Sequence, residues 1–403
     1  MADTGIVATY HAPKTPFELR EYPVPDPQPG AAVISISIAN ICGSDLHYWR
    51  GDIDIKKMGR PTPMALGHEG TGTIARLGSD VSTDALGNKL VEGDRVVFQY
   101  FYPCMQCPTC LKGHTYACPV RQADRATSSD EWPHFKGTFA EYYYLQPNHA
   151  MFKVPDSLTD DEVAGINCAL SQVISGLDRA GLSFGETVTI QGAGGLGVYA
   201  AGVAKMRGAS HVIAIDGVDE RLELIKDFGA DDVIDIREYD TPESRVNAVR
   251  DLTNGLGTDV TLELVGHPGV VAEGLDMTAQ AGRYLEIGNI NVGWETQFDP
   301  SVIVFKNISM IGIAHYRAED LKNALDFLIE SKNRLPFDRV LSHQFPLSKI
   351  DDAMALASED SVDSMLGVSF RGNPRRIIGW LSLAYELPSF AAFSFISRSD
   401  EES

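Results

Sequence analysis

The sequence is short of positive charge. Lys and Arg number 34 against 55 Asp and Glu, a formal net charge of −21 over 403 residues. Such a surface repels phosphates, which argues against non-specific binding to nucleic acid or to anionic membranes. Also missing is a basic N-terminal stretch running into an apolar core: "MADTGIVATYHAPKTPFELREYPVP" carries no secretory signal. A reducing, cytoplasmic setting is therefore expected. No internal repeat or low-complexity tract interrupts the chain. Its 44% hydrophobic and 22% charged content is ordinary for a globular protein, and its length allows two cored domains.

Cysteine is scarce, six residues in all, yet four of them fall in "PCMQCPTCLKGHTYAC". In a reducing compartment clustered cysteines hold metal more often than they form disulfides. Cys104, Cys107, Cys110 and Cys118 are spaced C-x2-C-x2-C-x7-C. Four thiolates at that spacing can close a tetrahedron around zinc and leave no position for chemistry. The ferredoxin spacing that would favour an iron–sulfur cluster is lacking. A structural zinc is expected here.

The remaining two are Cys42, opening "CGSDLH", and Cys168, in "NCALSQVISG". Between them "GHEG" supplies His68 and Glu69. Cys, His and Cys with an open fourth position make a catalytic zinc set. Spacing alone leaves open whether three separate segments converge.

The texture of the chain changes near its middle. The first 150 or so residues read as β-rich, with "VISISIAN" (Val33–Asn40) alternating as a half-buried strand does. After "KVPDSLTDDEVAG" strands and helices alternate: "TVTIQ", a helix, "HVIAI", a helix, "DVIDI", then "DVTLELVG", "RYLEIGN" and "NISMIGIAHY". That is the pattern of an α/β protein with a doubly wound parallel sheet. A last strand is expected at "MLGVSF".

"GAGGLG" places Gly192, Gly194, Gly195 and Gly197 between the first of these strands and its helix. Glycines there allow a tight turn and close approach of a pyrophosphate to the helix N-terminus. Asp216 ends the next strand, where a carboxylate can accept hydrogen bonds from ribose hydroxyls. The following "GVDE" offers no cation for a 2′-phosphate, so NAD is expected over NADP. The tail holds "IIGWLSLAYELPSFAAFSFI", long enough for an anchor, but Glu386 and Pro388 interrupt it. A packing extension is expected rather than membrane contact.

The order "CGSDLHYW", "GHEGTGTI", four-cysteine lobe, "NCALS" and "GAGGLG" resembles the zinc-dependent medium-chain dehydrogenase/reductase family. The likeness covers about residues 5–370. It implies a GroES-like, β-rich catalytic domain (1–165 and 306–372), a Rossmann NAD-binding domain (166–305) and an extension of unknown role (373–403). It also implies two zinc ions per chain and an active site between the domains. Cys42 and His68 match zinc ligands, and Cys168 falls where alcohol dehydrogenases carry a third. Glu69 matches a glutamate beside the metal, and Asp45 the carboxylate that orients the zinc histidine. Ser44 and His47 resemble a proton relay that runs from the alcohol through the nicotinamide ribose to solvent. The family's last Rossmann strand, matched by Lys306–Tyr316, implies a homodimer or homotetramer.

Two features depart from the pattern. Gly43 stands where classical alcohol dehydrogenases often carry a basic residue. Cys168 stands where polyol dehydrogenases usually have glutamate, although "CGSDLHYW" is polyol-like. The expected activity is NAD-linked interconversion of a small-molecule alcohol and its aldehyde or ketone. Tyr48, Trp49, Tyr100, Phe101 and Tyr102 would make an aromatic pocket and favour a hydrophobic alcohol. The alternatives are a polyol or amino-alcohol dehydrogenase, and a non-catalytic zinc or nucleotide sensor; a sensor would have no need of the relay.

Overall fold

The structure, a computed structural model, describes residues 3–53, 55, 57–120, 127–358 and 368–371. The extension expected over 373–403 lies outside the described residues.

The first half is built from strands β1 (Thr4–Tyr10), β2 (Glu18–Pro23), β3 (Ala32–Asn40), β4 (Met64–Ala65), β5 (Glu69–Leu77), β6 (Arg95–Phe98), β7 (Tyr142–Leu145) and β8 (Met151–Lys153). Two helices interrupt them, α1 (Gly43–Arg50) and α2 (Pro108–Leu111). In β3 the alternation puts Ile34, Ile36 and Ile38 into the core, while Ser35 and Ser37 stay partly exposed. This strand pairs antiparallel with both β5 and β7.

Helices α3 (Asp160–Val163) and α4 (Ser171–Ala180) lead into alternating strands and helices. These are β9 (Thr187–Gln191), α5 (Gly195–Met206), β10 (His211–Asp216), α6 (Asp219–Asp227), β11 (Asp232–Asp235), α7 (Pro242–Leu252) and β12 (Thr258–Glu263). They continue with α8 (Val271–Met277), β13 (Thr278–Glu286), α9 (Ser301–Lys306), β14 (Ser309–Gly312) and α10 (Ala318–Ser331). The six strands form one sheet, order β11-β10-β9-β12-β13-β14, every pair parallel. Chain order therefore reverses beside β9, whose neighbours are β10 and β12. The crevice at such a switch point is where doubly wound sheets bind their ligands. Val188, Thr189, Ile190 and Gln191 of β9 are all buried, as a strand covered on both faces should be.

The chain then returns to the β-rich half through β15 (His343–Pro346), α11 (Ile350–Ser358) and β16 (Val368–Arg371). The last of these pairs with β3 next to the start of α1, through Ser369 and Asn40. Two expectations shift. The parallel sheet runs past residue 305, because β14 hydrogen-bonds β13 and the apolar face of α10 joins the same core. The boundary expected at 305/306 therefore falls inside the Rossmann layer. And "NISMIGIAHY" supplies a strand of only four residues, Ser309–Gly312, since the sheet ends where β13 ends.

Candidate active site and metal centres

Cys42 caps the N-terminus of α1, and Asp45 in that helix's first turn accepts the Cys42 N–H on Oδ2 at 3.1 Å. Oδ1 of Asp45 accepts the Gly67 N–H at 3.2 Å and lies 3.6 Å from Nδ1 of His68. One buried carboxylate thus ties two separate segments together. Gly67 has φ +84°, and a Cβ there would sit 2.6 Å from both Phe139 Cδ1 and Thr138 Oγ1, so only glycine lets the chain turn into His68.

Cys168 arrives from the other half on a π-turn, Ile166–Leu170, ahead of α4. The adjacent Asn167 staples that turn to the β-rich half: its amide donates to the Gly70 carbonyl, beside Glu69, and its Oδ1 accepts from Phe98 N–H at 3.4 Å. Cys42, His68, Glu69 and Cys168 consequently bring one ligand atom each to within 4.8 Å of one another. Two soft thiolates, an imidazole and a carboxylate are donors zinc accepts, so the set fits that ion.

Electrostatics reflect the crowding. A hydrogen bond from Cys168 holds the Cys42 thiol well below the ordinary range against burial, and the same bond, with burial, pushes Cys168 well above it. Burial opposes charge on His68, but Asp45 and Cys42 outweigh it and raise the imidazole to about 10. Burial and the Cys42 charge push Glu69 well up. Gln172, one turn on, donates to the Cys168 sulfur at 2.7 Å.

Cys104, Cys107, Cys110 and Cys118 make a second such group, again with all ligand atoms within 4.8 Å. None is in a disulfide, and backbone N–H groups point at three of the sulfurs from 3.4 Å. Donors of that kind stabilise thiolates, as a closed zinc shell of four cysteines requires.

The first cluster opens into a cleft of about 850 Å³. Ser44 and His47, three apart on α1, both line it. His47 directs Nδ1 at the Asp52 carboxylate, 2.9 Å away, with the Asn291 amide 3.0 Å from the same nitrogen. Of the five aromatic residues expected at the pocket, Tyr48 and Tyr100 line it. The other three do not: Trp49 and Phe101 pack with the two main cores, and Tyr102 lies against His149. Apolar lining comes from Met58, Met64, Leu66, Ile287, Ile290 and Val292.

The far wall is the end of the parallel sheet. Leu264–Gly266 follow β12, and Ile287 and Gly288 follow β13. At the glycine turn, a Cβ on Gly197 would lie 2.1 Å from the Gly192 carbonyl oxygen, whereas one on Gly194 would meet nothing within 4 Å. The first contact enforces close packing of turn and helix. The second leaves open backbone at the start of α5, where no side chain caps the helix and Gly195 begins it. Asp216 accepts the Ala193 N–H at 2.7 Å and those of Gly217 and Val218 at 2.7 and 3.1 Å. The first turn of α6 also brings Arg221 to 3.8 Å from Asp216 Oδ2, a cation beyond the "GVDE" stretch.

The chain is similar to known proteins in sequence and in fold. The model of the alcohol dehydrogenase GroES-like domain matches residues 28–156, and that of the zinc-binding dehydrogenase domain residues 195–330. The 5-exo-hydroxycamphor dehydrogenase of Pseudomonas putida is 30% identical over 344 residues, 84% of this chain and 92% of the relative. Sorbitol dehydrogenase of Bombyx mori is 30% identical, covering 86% and 94%. A crystal structure of an alcohol dehydrogenase from Thermotoga maritima superposes with a TM-score of 0.83 at 27% identity, covering 92% of this chain and all of the other. The chain belongs to the zinc-dependent medium-chain dehydrogenase/reductase family. Like its relatives it is a dehydrogenase, interconverting an alcohol and its carbonyl compound by hydride transfer with a nicotinamide cofactor. Among the described residues no helix is long and apolar enough to cross a membrane.

Proposed function

We propose that the chain oxidises an apolar alcohol with NAD, or reduces the matching carbonyl. Cys42, His68 and Cys168 would hold one zinc, with Glu69 beside it, and the four-cysteine lobe a second. One observation carries this reading: a single cleft is walled by Cys42, His68 and Cys168 of the donor set on one side and by the ends of β12 and β13 on the other. When bound, zinc would supply a Lewis acid that lowers the pKa of an alcohol hydroxyl, and a nicotinamide would supply the hydride acceptor.

The chain's own residues then move the proton. Ser44 accepts it at Oγ. His47, its Nδ1 facing the Asp52 carboxylate at 2.9 Å, carries the proton outward. Asp45 holds His68 and Cys42 in register. Asp216 receives the adenosine ribose and favours NAD, while Arg221 partly offsets its charge.

The apolar walls support a hydrophobic alcohol, as does a relative named for hydroxycamphor. Reduced cysteines gathered into two donor sets fit a cytoplasmic protein. The test is an NADH-forming absorbance assay with matched panels of terpenoid, aliphatic and polyol alcohols. Higher kcat/KM for sorbitol than for every apolar alcohol would reject the substrate reading. No turnover with any alcohol, in enzyme of verified zinc content, would reject the reaction.

A further inference from the structure

Behind the cleft, two carboxyl groups meet where β12 and β13 end. Glu263 is fully buried. Its Oε1 accepts the N–H groups of Val265 and Gly266, both at 2.7 Å. Its Oε2 accepts the Gly288 N–H at 3.1 Å and the Asn289 side-chain amide at 3.1 Å. One carboxyl therefore grips two turns that belong to different strands. Glu286 stands beside it: its Oε1 accepts the Asn289 N–H at 3.2 Å and the same amide nitrogen at 3.1 Å. The turns touch, since a Cβ on Gly288 would lie 2.5 Å from the Gly266 nitrogen. Val265, Gly266, Ile287 and Gly288 of these turns form part of the cleft wall.

We propose that Glu263 is a positioning residue for the nicotinamide end of the cofactor, its carboxyl clamping the turns after β12 and β13 into one wall, and that Glu286 makes the clamp sensitive to alkali.

Two carboxylates bridged by one amide, one of them fully buried and the other half-buried, cannot both ionise cheaply. Burial first, and Glu286 second, push Glu263 up to about 8. The other ionisable groups around it do not supply a balancing charge. Tyr284 on β13 is held neutral by burial, and Glu273 on α8 is taken up by Arg245 of α7 at 2.6 Å. His267 follows Gly266 in the same turn and accepts the Gly269 N–H at Nδ1. Below the raised value a proton sits between the carboxyls, and Glu263 has an acceptor oxygen free for the turn after β12. Above it two like charges face each other, and the turns they hold are pushed apart.

Stability tracks the same proton. The folded value, about 8, lies above the ordinary value of 4.5, so the folded protein keeps a proton that the unfolded chain loses. Stability from this group is full below the unfolded value and is lost as pH rises toward 8.

The inference rests on nicotinamide binding by the family and not on the preference for NAD. The experiment therefore titrates the full-length, zinc-loaded chain with NADH and with NADPH by fluorescence at pH 7 and pH 9, in the wild type, E263Q and E286Q. With the better of the two cofactors, the wild-type Kd should weaken about tenfold between these pH values, the effect of coupling worth one pKa unit. E263Q removes the titrating carboxyl, at the cost of acceptor contacts on the oxygen that becomes NH2, and E286Q removes the like charge. Both should bind with a Kd that stays flat. Melting temperature gives a second readout: from pH 5 to pH 8 it should fall more in the wild type than in E263Q. A structural hydrogen bond alone would lower it equally at both. A pH-independent wild-type Kd, or an E286Q variant that weakens as steeply as the wild type, would overturn the proposal.

Discussion

Cys42 and His68 lie only 26 positions apart in the sequence, but what makes them neighbours in space is Asp45. That carboxylate bonds the backbone at Cys42 and at Gly67 and faces the His68 ring. Cys42→Ala or His68→Ala should abolish alcohol turnover yet leave nicotinamide binding nearly intact, because neither side chain holds the dinucleotide turn. Turnover close to wild type in either variant, with metal content verified, would sink the assignment. Asp45→Asn keeps the shape but loses the charge beside the imidazole, and should cost about 10–100-fold in activity or zinc affinity. The ligand residues stood out in the sequence because Cys and His are scarce and sit in compact motifs. Asp52, Asn291 and Asn167 gave no such signal. Asn291 on His47 and Asn167 on Gly70 act through long-range contacts that no local spacing encodes, and Asp52, five residues from His47, belongs to no motif that marks it.

Cofactor choice is decided at the same scale. Two unit charges roughly 4 Å apart repel by about 4 kcal/mol at an effective dielectric of 20, an upper guide for Asp216 against a 2′-phosphate. Even half of that disfavours NADP more than tenfold. Arg221, 3.8 Å from the carboxylate, works in the other direction. The stretch "GVDE" ends one residue short of it, and the turn of α6 brings Arg221 back over the strand end. Asp216→Ala should narrow the NAD/NADP ratio of kcat/KM by weakening NAD and relieving repulsion. Arg221→Ala should widen it. A wild-type preference for NADP would reverse the assignment of Asp216.

Among the elements, the four-cysteine lobe should depend most on the second zinc proposed for it. Residues 104–118 contain only α2 and a single 3-10 turn, Thr115–Ala117, and their helices bury little beyond Cys110. Leu111 and Met105 point outward, 74% and 57% exposed. A segment with so small an apolar core would draw its order from metal ligation, in which case metal binding there is folding free energy. Elemental analysis of fresh protein should give two zinc ions per chain. Chelating the lobe zinc should lower the melting temperature and open the lobe to proteolysis, while Cys110→Ser should do the same at full occupancy of the other site. One zinc per chain in fresh protein would contradict this. The lobe was the most legible part of the sequence, since its four ligands fall within fifteen residues. Strand lengths were less so. β14 looks apolar far beyond its four residues, and only the end of β13 shows where pairing must stop.

At the level of the whole molecule, the order β11-β10-β9-β12-β13-β14 leaves β14 at one edge of the parallel sheet. The order itself was not written in any one motif. It emerges once two strand–helix units run outward from β9 in opposite directions, which places the switch point, and with it the far wall of the cleft, against the Cys42–His68–Glu69–Cys168 cluster. The same order creates a liability. Met310 is 42% exposed, and Val304 and Phe305 of the preceding helix are 70% and 79% exposed. An uncovered edge strand with apolar side chains invites pairing, and the closed way to satisfy it is a two-fold mate that lays a second β14 beside the first. The chain should therefore run as a dimer or tetramer in light scattering at micromolar concentration. Met310→Lys with Phe305→Asp puts like charges across the two-fold axis and should shift the population to monomer without altering zinc content. A wild-type monomer at that concentration would reject the interface. An assembly indifferent to both substitutions would move it to another face of the molecule.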